Sequence, residues 1–192
     1  MAKKYEFQPD RPYSTWLSKL QLTRQQQKQA LKWFLYALVI VVLSVAQDVV
    51  LCRFRFFGGT TDLVPCGIFI ICTLEGTQKG CIFALAAAFF YLLSGVAPGP
   101  HVLVLITMPA MLVAALRQAY LQQGFPATLL CTALAMAIYE LCVFGFCLLL
   151  GLVSVARYSG FVVAAVLSLV AVPIVYPIAK AIGTIGGNLW NE

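Results

Sequence analysis

Charge is what this sequence has least of. Only 10% of its 192 residues are Asp, Glu, Lys or Arg, whereas 61% are hydrophobic. A soluble domain carries about 25% charged and about 45–50% apolar residues. The polar surface that water requires is missing, so the surroundings must be lipid. Histidine is nearly absent, with a single residue at His101. No Cys-x-x-Cys pair or His-x-x-x-His face occurs either, which excludes the usual metal centres. Gly183 to Gly187 lacks the lysine and the preceding strand of a phosphate loop. No repeat with a period of about 20–50 residues is visible. The length leaves room for one domain of five or six spans and none for a sizeable soluble unit.

The charge that is present is unevenly placed. The net charge is +6, and seven of the 13 basic residues (Lys3, Lys4, Arg11, Lys19, Arg24, Lys28 and Lys32) precede or open the first apolar run. Such a bias marks a cytoplasmic N-terminus attracted to anionic lipid, and not a nucleic-acid interface. The first apolar run starts near Trp33 and is too long for a secretory signal core. We divide the chain into a basic arm (1–29), a transmembrane helical domain (30–183) and a short tail (184–192). In the arm, Trp16, Leu17 and Leu20 suit an amphipathic turn on the membrane surface, and Thr23 with Gln26 has capping-box spacing.

Six apolar segments follow: Trp33 to Ala46, Leu63 to Leu74, Gly80 to Ala97, His101 to Leu116, Pro126 to Val153 and Gly160 to Ile182. They predict an all-α integral membrane bundle of about six transmembrane helices. The second is interrupted by Pro65 and Gly67 and is below spanning length, so it either crosses with its flanks or is re-entrant. With the N-terminus inside, 10 basic residues fall inside and three (Arg53, Arg55 and Arg157) outside, as the positive-inside rule requires. Of seven cysteines, five lie in or beside apolar runs, where they act as small packing residues. Cys52 and Cys66 flank the first outer loop, and pairing is open to them where the exterior oxidises.

The stretch from Leu74 to Leu105 is the most informative. Glu75 and Lys79 have the spacing of a helical ion pair and mark the start of the third helix. Gly80, Ala84 and Ala88 recur every fourth residue and line one helix face. Small-residue stripes let helices approach closely in lipid, where apolar contact alone adds little. Glu140 is the lone charge between Gln118 and Ala156. An ionised carboxylate at mid-bilayer costs several kcal/mol unless it faces the bundle or finds a partner. Three readings are open: a structural anchor with Tyr139 beside it, a contact for a partner or ligand, and a proton or ion relay. A relay needs a chain of ionisable groups, and none is evident at that depth. Asp48 reads as an interfacial carboxylate near Arg53 or Arg55. Ser94 and His101 have the residue types of a nucleophile–base pair at the outer face. Gly95 follows the serine, but Leu92 occupies the place of the first glycine in a Gly-x-Ser-Gly turn, and no carboxylate orients the histidine. The expectation is a protein that is not an enzyme and binds no cofactor.

Glu75-Gly76, Gly80, Leu92-Leu93-Ser94-Gly95, Gly99 and, two helices on, Tyr139-Glu140 together resemble MreD, the small integral membrane protein of the bacterial rod-shape system. The resemblance covers roughly residues 62–152. The chain departs from that family at Tyr91, where an aspartate commonly precedes the Leu-Leu-Ser-Gly run. The resemblance implies a non-enzymatic scaffold of cell-wall elongation in the bacterial cytoplasmic membrane. Its partners would be an MreC-like single-span protein, MreB filaments, the RodA polymerase and a penicillin-binding transpeptidase. Glu140, Tyr139 and the small-residue faces would be recognition or packing elements, and the basic arm would meet anionic lipid. The alternative is the substrate-binding component of an energy-coupling-factor vitamin transporter, a similar six-helix bundle with an outward cavity.

Overall fold

A computed structural model describes residues 24–50, 61–95, 97, 99–120 and 124–185. Cys52, Arg53, Arg55 and Pro98, the arm before Arg24 and the tail after Ile185 lie outside the described residues. Among the described residues the fold is all helix, with no strand. The order is α1 (Arg24–Val45), continued by a π-helical turn (Ala46–Val50), then α2 (Leu63–Glu75), α3 (Thr77–Leu93), α4 (Val102–Tyr120) and α5 (Phe125–Leu149). A 3-10 turn (Val155–Arg157) leads into α6 (Tyr158–Leu169) and α7 (Val172–Ile185).

Three of these helices are long and apolar enough to cross a membrane: α1 with its π turn, α4 and α5. The pair α6–α7 supplies a fourth span if it is taken as one, bent by 47°. The last apolar segment is therefore two helices and not the single one expected. Pro173 explains the break, because it has no N–H to give the preceding turn and its ring clashes with that turn's carbonyl. Tight bonds from Val170 to Leu167 and from Ala171 to Ser168 close α6 just before it.

α2 lies at the centre. Every residue from Leu63 to Thr73 is buried, and the helix packs against α1, α3, α4, α5 and α7. Its 13 residues rise only about 20 Å, well short of a hydrocarbon core of about 30 Å. Pro65 is tolerated because it sits in the first turn, where no intrahelical acceptor awaits its missing N–H. Two glycines let neighbours come close. A Cβ at Gly67 would collide with Leu43 of α1, and one at Gly80 of α3 would lie 3.0 Å from the Cys72 carbonyl oxygen and 3.1 Å from its Cα. Between α2 and α3 the chain turns on Gly76, whose φ of 82° is open only to glycine without strain.

The stripe of Gly80, Ala84 and Ala88 is buried on the inner face of α3. What α3 turns outward is large and apolar: Ile82, Leu85, Phe89, Phe90 and Leu93. The other peripheral helices do the same, with Phe34 and Val41 on α1, Met108 and Met111 on α4, and Leu130 and Leu141 on α5. An apolar exterior over small-residue contacts is the arrangement of a protein solvated by lipid. Gly80→Ala should cost about 1–3 kcal/mol, since the backbone of Cys72 has to give way. Gly145→Ala, whose new Cβ would meet nothing within 4 Å, should be neutral or stabilising by up to about 1 kcal/mol. Thermal unfolding of both variants in detergent micelles measures the difference.

Candidate functional site

A helix that ends inside lipid leaves backbone N–H and C=O groups with no water to meet them. Around α2 both ends are met by side chains from other helices, and these side chains are the polar sites of the molecule.

At its C-terminal end, the Arg117 guanidinium of α4 donates to the Thr73 carbonyl, and the Gly76 amide donates to the Cys72 carbonyl. A cation here also meets the negative pole of the helix. Glu75 accepts twice on Oε1, from Lys32 Nζ at 2.6 Å and from the Tyr36 hydroxyl at 2.7 Å. Trp33, Tyr36 and Phe83 pack around that pair with ring centroids 5.7–5.9 Å apart. The spacing of Glu75 and Lys79 therefore does not make a helical pair: Gly76 breaks the helix between them, and the partner of Glu75 comes from α1.

At the N-terminal end, the Asp62 amide donates to Ser168 Oγ at 2.8 Å and the Val64 amide donates to Gln47 Oε1 at 3.1 Å. Ser168 passes its own proton to the Ala164 carbonyl, and Gln47 Nε2 donates to the Tyr91 hydroxyl at 3.3 Å. Beside this layer the carboxyls of Asp62 and Glu140 are electrostatic neighbours. Tyr139 packs its ring edge-on to Phe69, 6.2 Å away. Its hydroxyl, Glu140 Oε1 and Thr61 Oγ1 are buried without a hydrogen-bond partner.

The residues singled out from the sequence thus separate. Glu140 and Tyr139 share the cluster at the start of α2, and Glu75 and Gly76 lie at its other end. Gly80, Ala84 and Ala88 line the interface with α2 and α4. Ser94 ends α3, where its hydroxyl donates to the Tyr91 carbonyl at 2.7 Å. Gly95 and Gly99 follow at positive φ on the way to α4. No hydrogen bond joins Ser94 to His101 among the described residues, and the His101 ring stacks on Phe146 at 5.2 Å. Cys66 is a buried free thiol 3.4 Å from the Ser168 carbonyl oxygen. Asp48 is exposed in the π turn.

Sequence reasoning missed Asp62, Lys32, Tyr36, Gln47, Ser168 and Arg117 as site residues. Asp62 carried a signal, as an acid three residues before a proline at the head of an apolar run, the pattern of a helix start. Tyr91 holds the place where the resembled family commonly has an aspartate, and its hydroxyl belongs to this cluster.

Between α1 and α3 the surface opens into a groove of about 540 Å³. The buried Ile40, Phe83 and Ala87 underlie it, the exposed Ala37, Val41, Ala86, Ile82 and Phe90 border it, and Lys32, Glu75 and Lys79 stand at one end. No family model matches this sequence, and no curated protein or solved structure matches it.

Lys32→Met should leave Glu75 buried without its cation and lower stability by about 3–5 kcal/mol. The double variant Lys32→Met, Glu75→Leu should recover most of that loss. A double-mutant cycle on thermal unfolding in detergent reads the coupling.

Proposed function

We propose that this chain is a non-enzymatic membrane scaffold of the bacterial cell-wall elongation system, of the MreD kind, and that it docks the transmembrane helix of a partner in the groove between α1 and α3. The observation that carries the reading is the groove itself. It runs along two helices that turn apolar side chains outward, and its apolar lining sets the small residues Ala37, Ala86 and Ala87 among large ones. Small lining residues permit close backbone approach, a source of helix association in lipid. The order of Glu75-Gly76, Gly80, Leu92-Leu93-Ser94-Gly95, Gly99 and Tyr139-Glu140 supports the same assignment. In this reading the chain crosses the bacterial cytoplasmic membrane six times with its N-terminus inside, α2 and α3 serving as short crossings. Lys79 and the basic arm then meet anionic lipid and cytoplasmic partners. An MreC-like single-span protein would occupy the groove, and RodA, its transpeptidase and MreB filaments would assemble around it.

The unpartnered oxygens near Asp62 favour a second reading, the capture subunit of a vitamin transporter, which would hold a small molecule there. A photocrosslinking residue at Ile82 in the groove, with Met111 on α4 as the control, separates the two in living cells. The scaffold predicts capture of a single-span elongation protein at Ile82 and not at Met111. Absence of any protein adduct at Ile82, together with a stoichiometric metabolite in the purified chain, overturns it.

A further inference from the structure

The groove between α1 and α3 is polar at one end only. Lys32 of α1 meets Glu75 at 2.6 Å, just before α3 begins, and further along Trp33 and Tyr36 pack against Phe83. The two helices therefore run side by side in the same direction. Gln29, Lys32, Glu75 and Lys79 stand at the first level of the groove, Ala37, Ala86 and Ala87 at the middle, and Val41 and Phe90 at the far end. From Lys79 to Phe90 it follows about 16 Å of helix, or three turns.

The charges at the polar end do not balance. Glu75 is already taken by Lys32 and the Tyr36 hydroxyl. Lys79, half-buried, and Gln29, exposed, form no ion pair or hydrogen bond among the described residues. A helix laid over the groove takes the Lys79 ammonium out of water, which is strongly unfavourable unless the helix brings a counter-charge.

We propose that the helix docked in the groove carries an Asp or Glu that pairs with Lys79, about seven residues from a small residue seated between Ala37 and Ala86. The Gln29 amide supplies a second donor to the same carboxylate. This inference rests on the reading of the groove as a helix-docking site. The interval follows from the lining, because Lys79 and Ala86 are seven residues apart, about 10 Å or two turns along α3. A basic partner would face Lys32 and Lys79 together. The alanines favour a helix over a lipid chain: bulk is removed from both walls at one level, where a helix backbone comes close. An acyl chain asks only for apolar contact along its length. A charge pair at the edge of such a contact selects one apolar helix among many. With the N-terminus inside, the acid stands at the cytoplasmic end of the partner's span.

The test extends photocrosslinking at Ile82 in living cells to the charge at Lys79, with the membrane level of each variant matched. The native chain should capture a helix whose sequence, read from the adduct by mass spectrometry, has an Asp or Glu about seven residues from a Gly, Ala or Ser. Lys79→Met should lower the adduct by at least about tenfold, and Lys79→Glu further. Reversing the partner's acid to Lys should restore capture by the Lys79→Glu chain, a recovery that a misfolded variant would not show. Undiminished capture by Lys79→Met, a captured helix with no acid at that interval, or a reversed pair that does not recover overturns this inference and leaves the docking reading standing. A phospholipid adduct at Ile82 in place of a protein, or no adduct with the native chain, overturns both.

Discussion

An unsatisfied backbone group buried away from water costs several kcal/mol, and this molecule encloses a whole helix, from its first residue nearly to its last, among its own side chains. α2 is shorter than a bilayer core is thick and is enclosed by its neighbours, and the rest of the bundle is arranged to finish it. Gln47 from α1 and Ser168 from α6 receive its first amides. Arg117 from α4 holds a carbonyl of its last turn, and Lys32 with Tyr36 from α1 neutralises its terminal acid. Three helices are thus tied to one another through a fourth. Polar side chains that a membrane protein could otherwise do without become obligatory.

The same constraint explains where small residues fall. Gln47 reaches Val64 and Lys32 reaches Glu75 at opposite ends of one antiparallel pair, which requires α1 and α2 to run closely side by side. Gly67 permits it. On the other flank Gly80 brings α3 onto Cys72, and Gly76 lets the chain reverse in a single residue. The inward face of α3 is therefore spent inside the chain, and its outward face is left apolar toward lipid. Where α1 and α3 diverge around that shared neighbour, the groove opens.

Much of this was legible in the sequence and part was not, for identifiable reasons. The lipid environment followed from the scarcity of charge, and the helices at Phe125–Leu149 and Val102–Tyr120 followed from their length. Gly80, Ala84 and Ala88 declared a packing face by spacing alone. Leu63 to Leu74 showed only as short and apolar. A helix buried on all sides and one bathed in lipid have the same composition, so its central place depended on neighbours that no local window contains. Glu140 stood out as a lone acid, but its neighbour Asp62 lies three helices earlier, and proximity at that range leaves no periodic trace. Pro173 was visible, although the loss of one N–H does not by itself announce whether a helix kinks or splits. Lys32 looked like one more charge of the basic arm, and only the fold reveals it as the counter-ion of Glu75.

The central claim is that α2 is a fully enclosed helix whose ends are held by side chains within the membrane. Hydrogen–deuterium exchange of the intact chain in nanodiscs tests it most directly. The amides from Ile68 to Thr73 should be among the slowest in the protein, slower than those on the lipid-facing turns of α6, and Ser168→Ala should speed exchange at Asp62 before any other site. Rapid exchange across Leu63–Glu75, at the rate of an open loop, would contradict the account.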